Sequence, residues 1–367
     1  MHPAAVEALF AATEKFVANP HATDHAAGWS AGDAIELARA QVAAALGADT
    51  DEVIFTSGAT EADNLAILGP AGRCWGRRRV IVSAIEHKAV LAPARELARR
   101  DFDLHVVPVE PSGLVDINAM ASLIDEQTLV VSIMLVNNEI GTVQPVKRLI
   151  EACRANGALL HVDAAQATGW LPIDIGELGA DMISISGHKM GGPKGIGALI
   201  ARRDVMDRLT PLTFGGEQER GLRPGTLPTA LCVAMGAACA NLPSAAEVAA
   251  WRKRTKTFED ALLALDPGAR VNGGSSPRHP GSISITFSSA DAEALINRLQ
   301  PRLAIARGSA CTSGVPEPSH VLRAIGLSAA ECDRTVRIST GRFTTEEELF
   351  EALYLLNLAI CARSACF

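Results

Sequence analysis

The sequence predicts an α/β protein in which a large domain with a mainly parallel sheet is joined to a smaller α+β domain. Short, almost continuously apolar runs recur as far as Ala201, and longer helical stretches separate them. Such runs are typical of strands buried on both faces, and their alternation with helices favours parallel pairing. At 367 residues the chain also exceeds the size at which one hydrophobic core usually stops growing.

The large domain is assigned to residues 11–240. Its strands are predicted from the apolar runs, because runs of this length between helical stretches are typical of a parallel sheet. In chain order they lie at 53–56, 80–83, 104–109, 129–135, 159–162, 182–185 and 198–201.

The small α+β domain is assigned to residues 1–10 and 241–367. Its predicted strands lie at 281–287 and 335–339, and its predicted helices at 290–299 and 345–360. Between them, residues from about 306 to 318 are rich in glycine, serine and proline, which favours a loop. Cys311 lies in this loop.

Composition and charge exclude several classes of protein. The chain has 48% hydrophobic and 20% charged residues, as a soluble globular protein does, and no apolar run is long enough for a membrane helix. Its net charge is −7, and no run of lysine and arginine is longer than Arg77-Arg78-Arg79, so direct nucleic-acid binding is not expected.

The first residues lack the basic and apolar segments of a secretory signal, so we expect a cytoplasmic protein. Eight cysteines are scattered over the chain, several of them in apolar stretches, which indicates reduced thiols rather than a disulfide framework. The histidines show no spacing typical of a zinc site, and we expect no metal.

A glycine turn follows the first predicted strand, in the segment 55–64. The free amides and positive dipole of a helix that begins here would bind phosphate, and Thr60 would add a hydroxyl. Taken alone, the segment also fits an ordinary helix that Ser57 or Thr60 caps.

Asp163 ends the apolar run 159–162. A carboxylate at a buried strand end is costly unless it meets a positive partner, and a protonated pyridine nitrogen is such a partner. The alternative role for Asp163 is the cap of a helix.

Lys189 follows the apolar run 182–185 within a glycine-rich segment that contains Ser186 and His188. A lysine in this position is suited to a covalent bond with an aldehyde, because desolvation and nearby positive charge lower its pKa. Ser186 and His188 could hold phosphate oxygens. The alternative is a surface turn in which Lys189 and Lys194 are solvated.

These motifs together resemble the cysteine desulfurases of the class V aminotransferase group, which are fold-type I pyridoxal-phosphate enzymes. The resemblance extends from Asn19 to Glu348, which is over four-fifths of the chain. The matching segments, in the family's order, are 55–64, 86–90, 136–142, 161–166, 184–197, 218–226, 308–313 and 337–348.

The resemblance implies a role for each residue around the cofactor. Lys189 would bind pyridoxal phosphate covalently and later move protons, and His87 would stack on the ring and assist proton transfer. Asp163 would pair with the pyridine nitrogen and Gln166 with the phenolic oxygen. The residues expected to hold the phosphate are Ala59, Thr60, Ser186 and His188.

The substrate and the oligomeric state also follow from the resemblance. Arg337 would clamp the carboxylate of L-cysteine as a two-pronged donor, and Asn138 would lie beside the ring oxygen and the substrate. Thr226 would reach the phosphate of the neighbouring subunit, which implies a homodimer with shared active sites.

The segment Gly-Ser-Ala-Cys-Thr-Ser at 308–313 resembles the desulfurases with a long catalytic loop. In these enzymes the loop cysteine, here Cys311, takes sulfur from L-cysteine as a persulfide and leaves L-alanine. The sulfur would pass to an acceptor protein, either an iron–sulfur scaffold or a thiolation protein. Nitrogenase cluster supply, general cluster assembly, tRNA thiolation and DNA phosphorothioation remain open.

Two alternatives remain at this point. A selenocysteine lyase or another class V aminotransferase would share the cofactor residues without needing Cys311. The other alternative is a catalytically impaired scaffold or sulfur-relay protein. Members of the family usually have a Leu-Asp-x-x-Ala-Thr-Thr-Pro run that lines the substrate pocket, and this sequence does not contain that run.

Overall fold

The computed structural model describes residues 1–74, 76–308 and 318–361, so Cys311 lies outside the described residues. The chain forms two compact units. The first comprises Met1–Val107, Asp116–Val136 and Gln144–Leu242, and the second comprises Pro108–Val115, Asn137–Val143 and Pro243–Phe367.

A seven-stranded sheet is the centre of the first unit. Its strands are β1 (Val53–Thr56), β2 (Arg79–Ser83), β3 (Asp103–Val107), β4 (Thr128–Met134), β5 (Leu159–Asp163), β6 (Met182–Ser186) and β7 (Gly197–Ala201). They are arranged in the order β1-β7-β6-β5-β4-β2-β3, and only the pairs that include β7 are antiparallel. The predicted mainly parallel sheet is confirmed.

Several helices of the first unit pack on this sheet through apolar side chains such as Leu65, Val90 and Val205. Fully burying a side chain of this kind contributes about 1.5 to 3 kcal/mol. The helices are α1 (Pro3–Lys15), α2 (Ala26–Leu46), α3 (Ala59–Leu68), α4 (Lys88–Ala98), α5 (Ile117–Ser122), α6 (Ile150–Asn156), α7 (Ile175–Leu178), α8 (Arg203–Met206) and α9 (Thr229–Cys239). Single 3-10 turns lie at Thr50–Glu52, Pro70–Arg73, Val146–Leu149, Gly187–Lys189 and Gln218–Gly221.

The second unit contains a four-stranded antiparallel sheet in the order β10-β11-β9-β8. Its strands are β8 (Arg270–Val271), β9 (Ser282–Thr286), β10 (Ala306–Arg307) and β11 (Thr335–Ser339). Its helices are α10 (Ala245–Leu265), α11 (Ala292–Leu299), α12 (His320–Ala324), α13 (Ala329–Cys332) and α14 (Glu346–Cys361). Among the described residues, no helix of either unit combines the length and apolar character that crossing a membrane requires.

Residues 1–10 belong to the first unit, whereas we expected them in the smaller domain. The backbone N–H of His2 donates to the carbonyl of Gly191 at 2.7 Å, and α1 packs against α9. The apolar face of α1 is therefore buried against an element distant in sequence, and such packing leaves no local signal in the sequence.

Candidate active site

Asp163 and Lys189 lie at the carboxyl ends of two neighbouring strands, Asp163 at the end of β5 and Lys189 shortly after the end of β6. Asp163 is the last residue of β5, is only 6% exposed and accepts the backbone N–H of Ala165 at 2.9 Å. Burial raises the pKa of Asp163 to about 6, and the positive charge of Lys189 opposes this shift. The residues after Asp163 form turns, so it does not cap a helix, and Lys189 is exposed in the 3-10 turn after β6.

Ser186 and His188 precede Lys189 closely in the chain: Ser186 ends β6, and His188 lies in the same 3-10 turn as Lys189. The hydroxyl of Ser186 and Nδ1 of His188 are 2.9 Å apart. Burial lowers the pKa of His188, and the charges of Lys189 and Lys194 lower it further. An imidazole and a buried hydroxyl are therefore held together beside the lysine.

The first turn of α3 adjoins these two residues. Gly58 is the N-cap of α3 and supplies no side-chain acceptor, so neither Ser57 nor Thr60 caps the helix. A Cβ added to Gly58 would lie 4.0 Å from the hydroxyl of Ser186. The positive end of α3, with Ala59 and the exposed Thr60 in its first turn, thus faces the same region as Ser186.

His87 and Gln166 belong to the same unit. His87 is exposed at the N-cap of α4, where its Nδ1 accepts the backbone N–H of Ala89 at 3.1 Å. Gln166 lies three residues after Asp163, and its backbone carbonyl accepts Nε1 of Trp170 at 2.8 Å. The bond to Ala89 leaves Nε2 as the ring nitrogen of His87 that points away from the helix cap.

A buried polar cluster, formed by Asp63, Ser132, His161 and Ser184, was not predicted from the sequence. Nδ1 of His161 lies 2.8 Å from the hydroxyl of Ser132, and its Nε2 lies 2.9 Å from the hydroxyl of Ser184. Nε2 also lies 3.6 Å from Oδ1 of Asp63 on α3. Burial lowers the pKa of His161 to about 3, so the imidazole is neutral at ordinary pH.

Two carboxyl groups have raised pKa values here: Asp63, a member of this cluster, and Glu86, which is close to it. Burial, followed by the charge of Asp163, holds the pKa of Asp63 well above its usual range. Burial raises the pKa of Glu86 to about 8, although Glu86 accepts the hydroxyl of Ser83 and, at 2.9 Å, the N–H of Met134. One sequence pattern could have indicated the polar cluster around His161. His161 and Asp163 are two positions apart in β5, which places their side chains on the same face of the sheet.

In the second unit, the structure brings Asn138 and Arg337 together. Nη1 of Arg337, on β11, donates to the backbone carbonyl of Asn138 at 2.9 Å. Nε of Arg337 is buried and has no hydrogen-bond partner among the described residues. This guanidinium therefore has donor capacity for an anionic group.

Thr226 is exposed in the first unit, beside an open cavity of about 590 Å³. The backbone N–H of Gly225 donates to Oε1 of Gln218 at 2.9 Å, and Nε of Arg223 donates to Glu61 at 2.9 Å. Glu61 is in the first turn of α3, so the segment with Thr226 is tied to the helix whose N-terminus faces Ser186. The cavity is lined by Glu61, Thr213, Phe214, Gly215, Gly216, Gln218, Arg223, Pro224, Gly225 and Thr226.

Comparison with known proteins identifies the family to which this chain belongs. Residues 1–351 match the family described as aminotransferase class-V. The chain belongs to this family. This match confirms the family resemblance predicted from the sequence, and members of the family depend on pyridoxal phosphate.

Within the aminotransferase class-V family, the chain belongs with the cysteine desulfurases. It is 43% identical to the probable mitochondrial cysteine desulfurase of Dictyostelium discoideum, over 97% of this chain and 79% of that protein. It is 41% identical to cysteine desulfurase IscS of Rickettsia akari, over 99% of this chain and 88% of that protein. A solved structure described as SspA in complex with cysteine is 37% identical, with a TM-score of 0.83, over 94% of this chain and 97% of the other.

Proposed function

We propose that this chain uses pyridoxal phosphate to convert L-cysteine to L-alanine, and that Cys311 receives the sulfur as a persulfide. The observation on which this proposal depends is the pairing of Asp163 with Lys189. A buried carboxylate and a lysine lie at the ends of two adjacent parallel strands and interact electrostatically. Ligands of open α/β sheets bind outside such strand ends.

The residues present fit the chemistry of pyridoxal phosphate. Asp163 would meet the cationic ring nitrogen, and its burial makes a positive partner favourable. Lys189 would bond to the aldehyde carbon, Gln166 would approach the phenolic oxygen, and His87 would stack on the ring. The phosphate would be held by the first turn of α3 and by neighbouring side chains, namely Ala59, Thr60, Ser186 and His188.

The chain's own residues then divide the work of the reaction. Asp163 would keep the proton on the ring nitrogen, and the amine of Lys189 would move the α-proton of cysteine. When bound, pyridoxal phosphate supplies an electron-withdrawing ring that accepts the electrons left at the α-carbon. Arg337 and Asn138 would hold the substrate carboxylate.

Cys311 would carry out the sulfur step. Its thiolate forms a bond to the sulfur of cysteine while the bond between that sulfur and the β-carbon breaks. The electron pair of the broken bond stays with the carbon skeleton, which takes up protons and leaves as alanine. The persulfide on Cys311 would then pass to an acceptor protein, an iron–sulfur scaffold or a thiolation protein.

The proposal is tested by measuring alanine and sulfide from L-cysteine and a reductant. Lys189→Ala should lose the visible absorbance of lysine-bound cofactor and all activity. Lys194→Ala, at an exposed lysine of the same glycine-rich segment, is the matched control and should retain both. Cys311→Ala should keep the absorbance and lose sulfide release. If Cys311→Ala released alanine from L-cysteine at the wild-type rate, or if the wild type worked on L-selenocysteine alone, the persulfide step would be wrong.

We also propose a homodimer with shared sites, supported by the exposed Thr226 beside an open cavity and by exposed apolar side chains at Phe10, Trp29 and Phe214. If Thr226 serves the phosphate of the neighbouring subunit, mixing Lys189→Ala with Thr226→Ala protein would give hybrid dimers with one complete site. Activity above that of either variant alone is expected. Purely additive activity would contradict shared sites.

A further inference from the structure

A short turn at Asn137–Glu139 has a fixed shape in the second unit. Oδ1 of Asn137 accepts the backbone N–H of Glu139 at 2.9 Å and that of Ile140 at 3.0 Å. The carbonyl of Asn137 accepts the N–H of Gly141, also at 3.0 Å. Side chains that project from this turn therefore start from a rigid backbone.

The side chain of Glu139 is buried, since the residue is only 3% exposed. Its Oε2 accepts the hydroxyl of Ser319 at 2.5 Å. The same hydroxyl accepts the N–H of Leu322 at 3.2 Å, so Ser319 caps α12 and donates to Glu139 at once. Burying a carboxylate is costly unless donors meet it, so this contact fixes where Ser319 and the start of α12 lie.

Oε2 of Glu139 also lies close to Gly308. A Cβ added to Gly308 would be 2.7 Å from this oxygen and 3.2 Å from Cδ1 of Leu322. Glu139 thus touches a residue on each side of the segment 309–317, which contains Cys311. One carboxylate therefore contacts both described flanks of that segment, through a hydrogen bond from Ser319 and through close approach to Gly308.

The same turn is connected to Arg337. The carbonyl of Asn138, the residue before Glu139, accepts Nη1 of Arg337 at 2.9 Å. Arg337 is the residue proposed to hold the carboxylate of cysteine. Asn138 therefore contacts Arg337, and the next residue, Glu139, contacts the flanks of the Cys311 segment.

We propose that Glu139 is a positioning residue for sulfur transfer, which fixes the flanks of the Cys311 segment relative to Arg337. This inference rests on the proposed function, because it assigns Cys311 the role of nucleophile. A misplacement of about 1 Å can cost roughly a hundredfold in rate, so a lost contact at these flanks should slow the sulfur step and spare cofactor binding.

The test compares Glu139→Ala, Glu139→Gln and Ser319→Ala in the cofactor-loaded protein. Mass spectrometry follows persulfide formation on Cys311, and alkylation by iodoacetamide without cysteine follows the surroundings of its thiol. We expect Glu139→Ala to form persulfide at least about tenfold more slowly, with unchanged visible absorbance. Glu139→Gln, which keeps an acceptor for Ser319, should recover part of the rate.

Ser328→Ala is the matched control. Ser328 caps α13 in the same unit, but its hydroxyl donates to Glu331 of its own helix. Loss of a cap is common to both serine variants, whereas loss of the Glu139 contact occurs only in Ser319→Ala. Equal persulfide and alkylation rates in Ser319→Ala and Ser328→Ala would overturn the proposal, even if Glu139→Ala failed to fold.

Gly308→Ala adds a steric test. Its methyl group should clash with Glu139 and change the rate of Cys311 alkylation, and combining it with Glu139→Ala should remove that added effect. Fully additive effects in the double variant would contradict a direct contact. If the wild type formed no persulfide on Cys311, the proposed function would fail, while the cysteine-free alkylation rates would still report on Glu139.

Discussion

Nε2 of His161 lies 3.6 Å from Oδ1 of Asp63, and both side chains are buried near the strand end that carries Asp163. Neither carboxyl oxygen of Asp63 has a hydrogen-bond partner among the described residues. Asp163 and Glu86 add like charge, and the only histidine in the cluster is neutral. Burial and the charge of Asp163 raise the pKa of Asp63, so ionising this side chain destabilises the folded chain.

Asp63→Asn should stabilise the protein at high pH. The folded-state pKa of Asp63 is raised, so its contribution is fully favourable below the unfolded pKa of about 3.9 and is lost as pH rises through the folded value. The amide cannot ionise, so the gain of the variant over the wild type should grow by about 1.4 kcal/mol per pH unit between the unfolded and the folded pKa, and should be larger at pH 8 than at pH 5. Urea unfolding at both pH values measures this difference.

Asp103→Asn is the control with the opposite sign. Hydrogen bonds from His105 and Arg79 lower the pKa of this exposed carboxyl, so its contribution is present above the unfolded pKa and lost as pH falls. This variant should be slightly less stable than the wild type near neutral pH. If Asp63→Asn showed the same pH dependence as Asp103→Asn, Asp63 would be ionised in the folded chain.

The bidentate pair of Arg39 and Glu219 supports a second prediction. Arg39 donates to both oxygens of Glu219, at 2.7 and 2.9 Å, and the N–H of Phe55 donates to Glu219 at 2.6 Å. Glu219 and Arg220 have φ values of 48° and 60°, which are strained for residues other than glycine. Glu219→Ala should destabilise the protein by about 3 kcal/mol, because it removes the bidentate partner of the largely buried Arg39, which keeps only the exposed Glu36 and the carbonyl of Val53.

Denaturant unfolding checks this value, and Asp51→Asn is the matched control. Asp51 pairs with Arg203 at 2.6 Å on an exposed surface, where solvent weakens the interaction. It should change stability little. A Glu219→Ala protein as stable as Asp51→Asn would show that the buried pair does not hold the strained turn.

The sequence was sufficient for the parts of the site that have a local pattern. Asp163 and Lys189 follow apolar runs that form β5 and β6, and these short patterns depend only on neighbouring residues. Strands β8 and β10 were missed because each has two residues, too few to show periodicity.

Contacts between residues distant in sequence could not be predicted from local sequence patterns. Asp63 appears in the sequence as an ordinary polar residue of a helix, and its burial follows only from the packing of α3 on the sheet. The contact of Glu139 with Ser319 joins residues 180 positions apart. Such contacts arise from topology, which no local pattern encodes.

Gly197 at the start of β7 supports a third prediction. A Cβ there would lie 2.5 Å from the carbonyl oxygen of Ile185 and 2.6 Å from Cα of Gly58. Both are backbone atoms, so Gly197→Ala must displace Gly58 and the first turn of α3. We expect a loss of about 1 to 3 kcal/mol in stability and weaker binding of pyridoxal phosphate, measured by unfolding and by cofactor titration.

Gly341→Ala is the matched substitution, because its Cβ would meet only the hydroxyl of Thr344, at 3.7 Å. This variant should bind the cofactor as the wild type does. Wild-type cofactor affinity in Gly197→Ala as well would mean that the turn at Gly58 does not contribute to phosphate binding.

Arg337→Lys tests the proposed clamp on the substrate carboxylate. Nη1 of Arg337 is held by Asn138 and its Nε has no partner among the described residues, so the guanidinium is oriented with donors to spare. Lysine keeps the charge but presents a single ammonium group, which cannot bond to Asn138 and grip a carboxylate in two places. The KM for L-cysteine should rise by roughly ten- to a hundredfold with a smaller change in kcat, because the carboxylate does not react.

Arg302→Lys is the matched control. Arg302 pairs with Glu351 on an exposed surface of the same unit, so this variant should leave KM unchanged. Equal KM values for the two variants would remove Arg337 from substrate binding, since both keep a positive charge and only Arg337 has the geometry for a two-pronged contact.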